Sequence, residues 1–293
     1  MRNLPADPIR SAALTSNLAS AIHIALPPRL DPLVDLVVPA YKDSPFLAEC
    51  IESLRNQNST RCRVLIVTST PSPYIQRVAE EYDVPVLVSP RPSGIASDWN
   101  FALESATAPF VTICHQDDIY QPDYSTAMLK AIQASDDVLI ALCGNTEHTS
   151  SGPRPIQLNL RVKRLLLSFA FGDRHIDEAR RVRWRLLSFG NPVCCPGVMF
   201  NRRLLSDFRF VDTLKSNLDW DAWDRICAKE GKVAYVRDSV VSHRVHEGSE
   251  TSASIASNVR LVEDFGMFQR YWPAPVCKLI MAMYKRSYSG NRA

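Results

Sequence analysis

Two adjacent carboxylates directly follow a short apolar run near the middle of the chain. The run FVTIC, at 110–114, has the mostly apolar, β-prone residues of a buried strand, and it leads into His115, Gln116, Asp117 and Asp118. Like charges side by side repel each other, and each loses solvation as it approaches a core. The pattern therefore predicts a positive partner at this point. A metal ion, a substrate and a nearby arginine are the three alternatives.

The elements that must position these carboxylates follow from the periodicity of the first half of the chain. Segments of helical periodicity alternate with apolar runs at 34–39, 63–69, 84–89, 110–115 and 138–145. Such alternation predicts an α/β fold with a doubly wound, mostly parallel sheet. Ligands of these sheets bind at the carboxyl ends of the strands. Polar residues follow three of the predicted strands, in PAYKD, TSTPS and HQDD, with solvated turns as the alternative.

The regular alternation of predicted strands and helices ends near residue 150. An arginine-rich, helical segment is followed by a loop with a returning strand at 191–205 and by a helix at 218–231. Strands at 232–237 and 240–246, a final helix near 254–272 and a basic tail complete the pattern. We therefore predict four parts: a lead-in at 1–32, an α/β half at 33–150, a second half at 151–253 and a C-terminal helix with its tail at 254–293.

Composition narrows the class of protein. The 293 residues are 46% hydrophobic and 22% charged, as is typical of a soluble globular protein, and the net charge is +3. Residues 151–190 carry nine Lys/Arg against three acids, which suits an anionic surface. The longest apolar runs fall far short of the ~18 residues that a membrane span needs, and no signal peptide is expected. Eight scattered cysteines without a CxxC pair favour reduced thiols in the cytosol.

Four blocks, in order, resemble a family-2 inverting glycosyltransferase of the GT-A fold. They are VVPAYKDSPFLAECIESLRNQ, SGIASDWNFALESATAPFVTICHQDD, NLDWDAWDRICAKEGKVAYV and HRVHEGSETS, within roughly residues 34–252. The resemblance implies transfer of a sugar from a nucleotide-diphosphate sugar to an acceptor hydroxyl. It also implies Mn²⁺ or Mg²⁺ at the leaving diphosphate, where a divalent cation stabilises the developing charge. By the same resemblance, 33–150 binds the donor and 151–253 binds the acceptor.

The resemblance assigns the donor side to the ends of the predicted strands. Members of the family usually carry Asp-x-Asp where this chain has His115, Gln116 and Asp117, so Asp117 inherits the role of metal ligand. His115 faces the donor or binds the metal. The alternative for Asp117 and Asp118 is capping of the next helix and pairing with an arginine. The other donor-side candidates are Pro39, Ala40, Tyr41, Asp43, Ser69, Asp98 and Asn100.

The acceptor side follows from the last two blocks. Asp219 matches the general base that an inverting transfer needs, with helix capping as the alternative, and Asp221 is expected to be structural. Trp220 and Trp223 line the acceptor pocket or belong to the core. His246 matches the histidine that reaches back to the metal. Strand alternation predicts that His243 points to the opposite face and that Arg244 is a surface charge.

These assignments predict an enzyme of bacterial surface polysaccharide or glycolipid synthesis, with a glycan or lipid-linked acceptor. Its amphipathic basic segment suits a peripheral position on anionic membrane at the inner, cytoplasmic face. One alternative is a sugar-nucleotide nucleotidyltransferase, which would want a glycine-rich loop after the first strand. The other is a polyanion-binding protein that is not an enzyme and uses 161–185, which leaves the carboxylates unexplained. A dinucleotide oxidoreductase is disfavoured because no GxGxxG follows the first strand.

Overall fold

Ten strands form one mixed sheet within residues 31–246 and 259–284, the part of the chain that the computed structural model describes. Their order in the sheet is β3-β2-β1-β4-β9-β6-β10-β5, with β7 on β6 and β8 on β10. The strands are β1 (Val34–Ala40), β2 (Cys62–Thr68), β3 (Val86–Val88), β4 (Phe110–Ile113), β5 (Ile119–Tyr120), β6 (Val138–Thr149), β7 (Gly152–Pro153), β8 (Ile176–Glu178), β9 (Met199–Asn201) and β10 (Lys232–Arg244).

Helices cover both faces of this sheet. Those that the same residues form are α1 (Leu47–Arg55), α2 (Pro73–Glu81), α3 (Ile95–Ser105), α4 (Tyr124–Ile132), α5 (Leu158–Phe171), α6 (Ala179–Leu187), α7 (Leu218–Cys227), α8 (Val259–Gln269) and α9 (Ala274–Tyr284). One apolar layer contains α1, α2 and α4, and the other contains α3 and α5 to α9. The predicted α/β class with helices on both sides is confirmed.

Local sequence explains the burial of β1 and the start of α2. In β1, Val37 faces one apolar layer while Leu36 and Val38 face the other, so the almost continuous apolar run is buried on both sides. Ser72 caps α2 by accepting a hydrogen bond from the Ile75 N–H at 3.2 Å. Helix α1 begins differently: its first residue is Leu47, and its N-cap Phe46 makes no side-chain capping bond.

The second half of the chain completes the same sheet. Strand β9 lies antiparallel between β4 and β6, and β10 runs parallel to β6. The two strands predicted at 232–237 and 240–246 are the single strand β10, because register shifts between Val236 and Val241 let it stay paired with β6. The proposed division near residue 150 stays a prediction.

Some predicted features lie outside the described residues. These are the lead-in up to residue 30, the HEGSETS residues after His246, the start of the final helix and the basic tail from 285. Among the helices of the described part, none is long and apolar enough to cross a membrane.

Candidate functional site

The ends of β1 and β4 meet at the predicted ligand edge of the sheet. The two strands are parallel neighbours, so the segments that follow them lie side by side. The Gln116 amide joins them: its Oε1 accepts from the Tyr41 N–H at 3.0 Å, and its Nε2 donates to the Tyr41 carbonyl at 3.2 Å. Gln116 therefore holds PAYKD and HQDD together.

Asp118 is the buried centre of the acidic pair. Its side chain is fully buried, and Oδ1 lies 3.0 Å from His243 Nδ1 and accepts from the Arg244 N–H at 2.8 Å. Burial alone would lower the pKa of His243, but the charge of Asp118, the hydrogen bond with it and the charge of Asp117 together raise that pKa. The carboxylate is thus held by β10 rather than by the helix that follows it.

The Asp117 carboxylate contacts a different histidine, His246. His246 Nε2 lies 2.9 Å from Asp117 Oδ2. Burial would raise the pKa of Asp117, but the hydrogen bond from His246 and the charges of three histidines lower it overall. The expectation that only one of His243 and His246 reaches the site is wrong. β10 ends at Arg244, so the alternation of strand faces does not extend to His246.

Arg244 is not a surface charge. It is buried, its Nε donates to the Asp117 carbonyl at 2.9 Å, and its guanidinium pairs with Glu49. It also lies over the Phe46 ring, 4.4 Å from the centroid. The arginine considered as a partner for the carboxylates therefore binds the backbone beside them, which leaves the side-chain oxygens to the two histidines.

The cluster of His115, Asp117 and Asp118 fits a divalent cation. One ligand atom from each lies within 4.8 Å of the others. Within the described residues, His115 Nε2 and Asp118 Oδ2 are buried and have no hydrogen-bond partner. Buried polar atoms are normally paired, and carboxylate oxygens are the ligands that hard divalent cations prefer. The His115 ring stacks on Trp99 with centroids 5.3 Å apart, which fixes its plane.

The remaining donor-side candidates of the first two strands flank this cluster. Pro39 and Ala40 end β1, and Tyr41, which follows, is 39% exposed. Asp43 accepts a hydrogen bond from the Ser72 hydroxyl at 2.6 Å, which joins the turns after β1 and β2. Lys42 Nζ lies over the Tyr41 ring, 4.9 Å from its centroid.

Ser69, which follows β2, lies close to Asp98 of α3. Burial raises the pKa of Asp98, and the nearby Ser69 hydroxyl only partly offsets this effect. Even so, within the described part of the chain Ser69 Oγ and Asp98 Oδ1 are buried without a partner in hydrogen-bond geometry. Two polar atoms are thus left for a ligand to bind.

Asn100 has a different environment from the one predicted. Its Nδ2 donates to the Phe210 carbonyl at 2.9 Å, and its Oδ1 accepts from the Phe210 N–H at 2.8 Å. Both ends of the amide are thus bound to the loop that precedes α7. The contacts are structural, and a donor-binding role for Asn100 stays a prediction.

Asp219 lies at the start of α7. The N-cap is Asn217, so Asp219 is the second residue of the helix rather than its cap, and it benefits from the positive end of the helix dipole. The half-buried carboxylate accepts from Asn191 Nδ2 and from the Trp220 N–H, both at 2.7 Å. Burial nevertheless raises the pKa of Asp219 overall, against the lowering effects of these bonds and of Arg260 and Lys163.

The rest of α7 is structural. Asp221 pairs with Arg225 at 2.7 Å and Arg270 at 2.8 Å, as a supporting acid would. Trp220 and Trp223 are each 0% exposed and pack in the core, against Phe268 and Phe200 respectively. Their predicted acceptor-side role needs correction, because neither ring presents surface to an acceptor.

Comparison with known proteins agrees with this geometry. The model of the family described as Glycosyl transferase family 2 matches residues 35–208, more than half of the chain. The chain belongs to glycosyl transferase family 2. Among curated proteins, it is 28% identical over 116 residues to EpsH, named as a glycosyltransferase of Bacillus subtilis (strain 168). That match covers 38% of this chain and 33% of EpsH.

Solved structures share the fold of this family-2 chain. One is the mannosyltransferase PcManGT of Pyrobaculum calidifontis in complex with GDP-Man and Mn²⁺, with TM-score 0.59, 18% identity and coverage of 86% of this chain and 69% of that one. Another is TarS 1–349 of S. aureus in complex with UDP-GlcNAc, with TM-score 0.58, 18% identity and coverage of 86% and 71%. Together they confirm the GT-A class predicted from the sequence.

Several arginines of the basic segment of this family-2 chain form ion pairs with acids. Asp177 pairs with three of its arginines, Arg183 binds Asp224 at 2.7 Å, and Arg154 lies 3.5 Å from Glu147. Five of the nine cations therefore serve the fold. The alternative of a polyanion-binding surface at 161–185 stays a prediction.

Sequence reasoning missed the residue that anchors the start of α7. The Glu263 carboxylate accepts from the backbone N–H groups of Lys215 at 2.8 Å, Ser216 at 2.8 Å and Asn217 at 3.0 Å. Asn217 Nδ2 also donates to Asp264 at 2.7 Å. Helix α8 thus fixes the turn that presents Asp219. No local pattern marks a contact between residues nearly fifty positions apart.

Proposed function

We propose that the protein is an inverting glycosyltransferase that moves a sugar from a nucleotide-diphosphate sugar to an acceptor hydroxyl. Family membership supports the reaction class. The observation that carries the proposal is the pairing of an acidic, cation-compatible cluster at the end of β4 with a separate carboxylate, Asp219, at the start of α7. A transfer of this kind needs charge stabilisation on one side of the sugar and a base on the other.

Asp219 is the general base of the proposed mechanism. Its carboxylate takes the proton of the acceptor hydroxyl while that oxygen attacks the anomeric carbon. The bond from this carbon to the diphosphate breaks on the opposite face, so the configuration inverts and a nucleoside diphosphate leaves. The pKa of Asp219 is raised towards the pH at which the enzyme works, and a general base accepts a proton best when its pKa is near that pH. Asn191 and the Trp220 N–H hold the carboxylate in one orientation.

The donor lies along the ends of β1, β2 and β4 in this proposal. A divalent cation, Mn²⁺ or Mg²⁺, would be held by Asp117, Asp118 and His115 and would stabilise charge on the leaving diphosphate. His246 orients the Asp117 carboxylate through its 2.9 Å contact, and His243 does the same for Asp118 at 3.0 Å. Tyr41 and Asp43 lie on the nucleoside side, and Ser69 and Asp98 lie nearby.

We also propose a wider role for the enzyme. We place the enzyme in bacterial surface polysaccharide or glycolipid synthesis, on the cytoplasmic side of the membrane, with a glycan or lipid-linked acceptor. The related structures support a nucleotide-sugar donor, since PcManGT binds GDP-Man and TarS binds UDP-GlcNAc. These two donors carry different bases, so the donor base of this chain has to be measured.

A thermal-shift panel tests the proposal. Nucleotide sugars and their nucleoside diphosphates are compared, each with Mn²⁺, with Mg²⁺ and with a chelator. A ligand that binds only the folded state raises the melting temperature. We expect one nucleotide to raise it in a cation-dependent way and the matching nucleotide sugar to support transfer. A protein that responds to none of these donors would contradict the proposed function.

A further inference from the structure

Helix α5 has two apolar faces, although a helix on the surface of a globular protein normally has one. Leu160, Leu167 and Phe171 are buried in the core. At about 100° per residue these three lie on one side of the helix. A second apolar stripe lies on the opposite side, at the i, i+4, i+7, i+11 positions Leu158, Val162, Leu165 and Phe169.

The second stripe is exposed. Leu158 is 73% exposed, Val162 47%, Leu165 67% and Phe169 54%. Four large apolar side chains in one row form a patch that a free surface rarely keeps in water. Trp184 on α6, the helix that packs against α5, is also exposed and contacts Phe189 and Trp272. The stripe itself, which includes Phe169, therefore presents apolar and aromatic surface together.

The charged residues of α5 are all positive. The helix carries Arg161, Lys163 and Arg164 and no acidic residue. Arg161 is exposed and lies beside the apolar stripe, whereas Arg164 donates to the Asn145 carbonyl at 2.9 Å. An exposed apolar stripe flanked by cations is the pattern of a helix that lies in the interface of an anionic membrane.

Other occupants match this surface less well. Residues 1–30 hold three arginines and one aspartate, and 285–293 hold three cations and no acid, so both repeat the charge of α5. Residues 247–258 carry two glutamates but only one large aliphatic residue, Ile255. A second copy of the chain would bring the same cations face to face. An anionic lipid surface supplies both the apolar layer and the opposite charge.

We propose that the exposed face of α5 is a membrane-docking surface that lies in the headgroup layer of an anionic bilayer. Hydrogen bonds from Arg164 locate α5 relative to the site. Its guanidinium donates to the Asn145 carbonyl of β6 at 2.9 Å and to the Ser239 hydroxyl of β10 at 3.2 Å. The docking surface therefore lies on a helix bound to β10, the strand that carries His243. If the proposed function holds, the acceptor hydroxyl is carried by a molecule anchored in that same membrane.

Vesicle co-sedimentation of the full chain tests the docking surface. Vesicles of phosphatidylglycerol with phosphatidylcholine are compared with vesicles of phosphatidylcholine alone, without nucleotide or acceptor. We expect binding to the anionic vesicles, weakened by salt. In L165Q/F169Q the partition coefficient should fall at least about tenfold, and in R161Q about fivefold.

The matched control is L87Q/V88Q. Leu87 and Val88 are 40% and 54% exposed and lie on β3, at the other end of the sheet from β6 and β10. This variant should bind vesicles like the unchanged protein. Equal melting temperatures and equal nucleotide binding in all three variants show that folding and the donor site are intact.

Three outcomes would overturn the docking surface. They are no vesicle binding by the unchanged protein, binding that L165Q/F169Q leaves intact, and a dimer in light scattering that L165Q/F169Q dissociates while vesicles are ignored. The last outcome would assign the stripe to a second copy. None of these results depends on sugar transfer, so failure here is separable from failure of the proposed function, which the nucleotide panel reports.

Discussion

The His246 ring is in direct contact with the Asp117 carboxylate, 129 residues earlier in the chain, with Nε2 and Oδ2 separated by 2.9 Å. The C-terminal block of the family pattern thus meets the carboxylate at the end of β4. Together with the 3.0 Å contact of His243 to Asp118, it gives each member of the acidic pair its own histidine. Each carboxylate is therefore held in place before any cation binds.

Replacing Asp117 by asparagine should remove cation-dependent nucleotide binding. Asparagine keeps the size of the side chain but loses the charge that a divalent cation needs. We expect the Mn²⁺-dependent rise in melting temperature to disappear, while binding without Mn²⁺ is unchanged. Asp123→Asn is the control, because Asp123 is exposed and its side chain caps nothing at the start of α4. Unaltered Mn²⁺ dependence in Asp117→Asn would remove Asp117 from the metal site.

Replacing Asp219 by asparagine should abolish transfer while donor binding survives. Asparagine keeps one acceptor oxygen for the Trp220 N–H, but its NH₂ cannot accept from Asn191 and it cannot take the proton of the acceptor hydroxyl. We expect kcat to fall about 10²–10⁴-fold, the usual contribution of a general base, with an unchanged dissociation constant for the donor. Asp221→Asn is the comparison, since Asp221 is bound to Arg225 and Arg270 and should affect stability more than kcat. Turnover that persists in Asp219→Asn would show that another group is the base.

The pH profile should show the raised pKa of Asp219. The base must be ionised to act, so kcat/KM should fall as the pH drops through a pKa above that of an ordinary aspartate. Lys163 lowers the pKa of Asp219 by its charge, so Lys163→Gln should move the acidic limb to higher pH. Arg161→Gln, two residues away, serves as the control for loss of one positive charge on α5. An acidic limb that stays in place in Lys163→Gln would rule out this electrostatic link.

The sequence predicted the sheet and the acidic cluster because both depend on local patterns. The apolar run of β1 and the residues HQDD after β4 need no knowledge of distant contacts. Arg244 and His243 were misplaced because their environment depends on where β10 ends and on residues about 125 positions away. The sequence could not show whether Trp220 and Trp223 line the acceptor pocket or belong to the core, because the helical spacing is the same in both cases.

The acceptor side was harder to predict for the same reason. Asn191 and Asp219 meet across 28 residues, and Asn100 reaches Phe210 across 110. These pairs depend on how the loops cross the sheet, which hydrophobic periodicity does not encode. The exposed stripe of α5 is present in the sequence, but only the fold shows which of its two apolar faces is buried.

The Glu263 clamp on the start of α7 should matter for both stability and turnover. Its carboxylate accepts three backbone N–H bonds, whereas the glutamine of Glu263→Gln has one carbonyl oxygen and an NH₂ that cannot accept. Leaving donors unpaired costs about 1–3 kcal/mol in the free energy of unfolding. Because the turn precedes Asp219, kcat should fall as well, while the dissociation constant of the nucleotide sugar stays the same.

Urea unfolding and steady-state kinetics measure the two effects of Glu263→Gln. Glu230→Gln is the matched control, because Glu230 is exposed and lies beyond the opposite end of α7. It should leave both quantities unchanged. If Glu263→Gln lowers stability but leaves kcat intact, the clamp supports the fold without positioning Asp219. If it changes neither, the three hydrogen bonds do not hold the turn in solution.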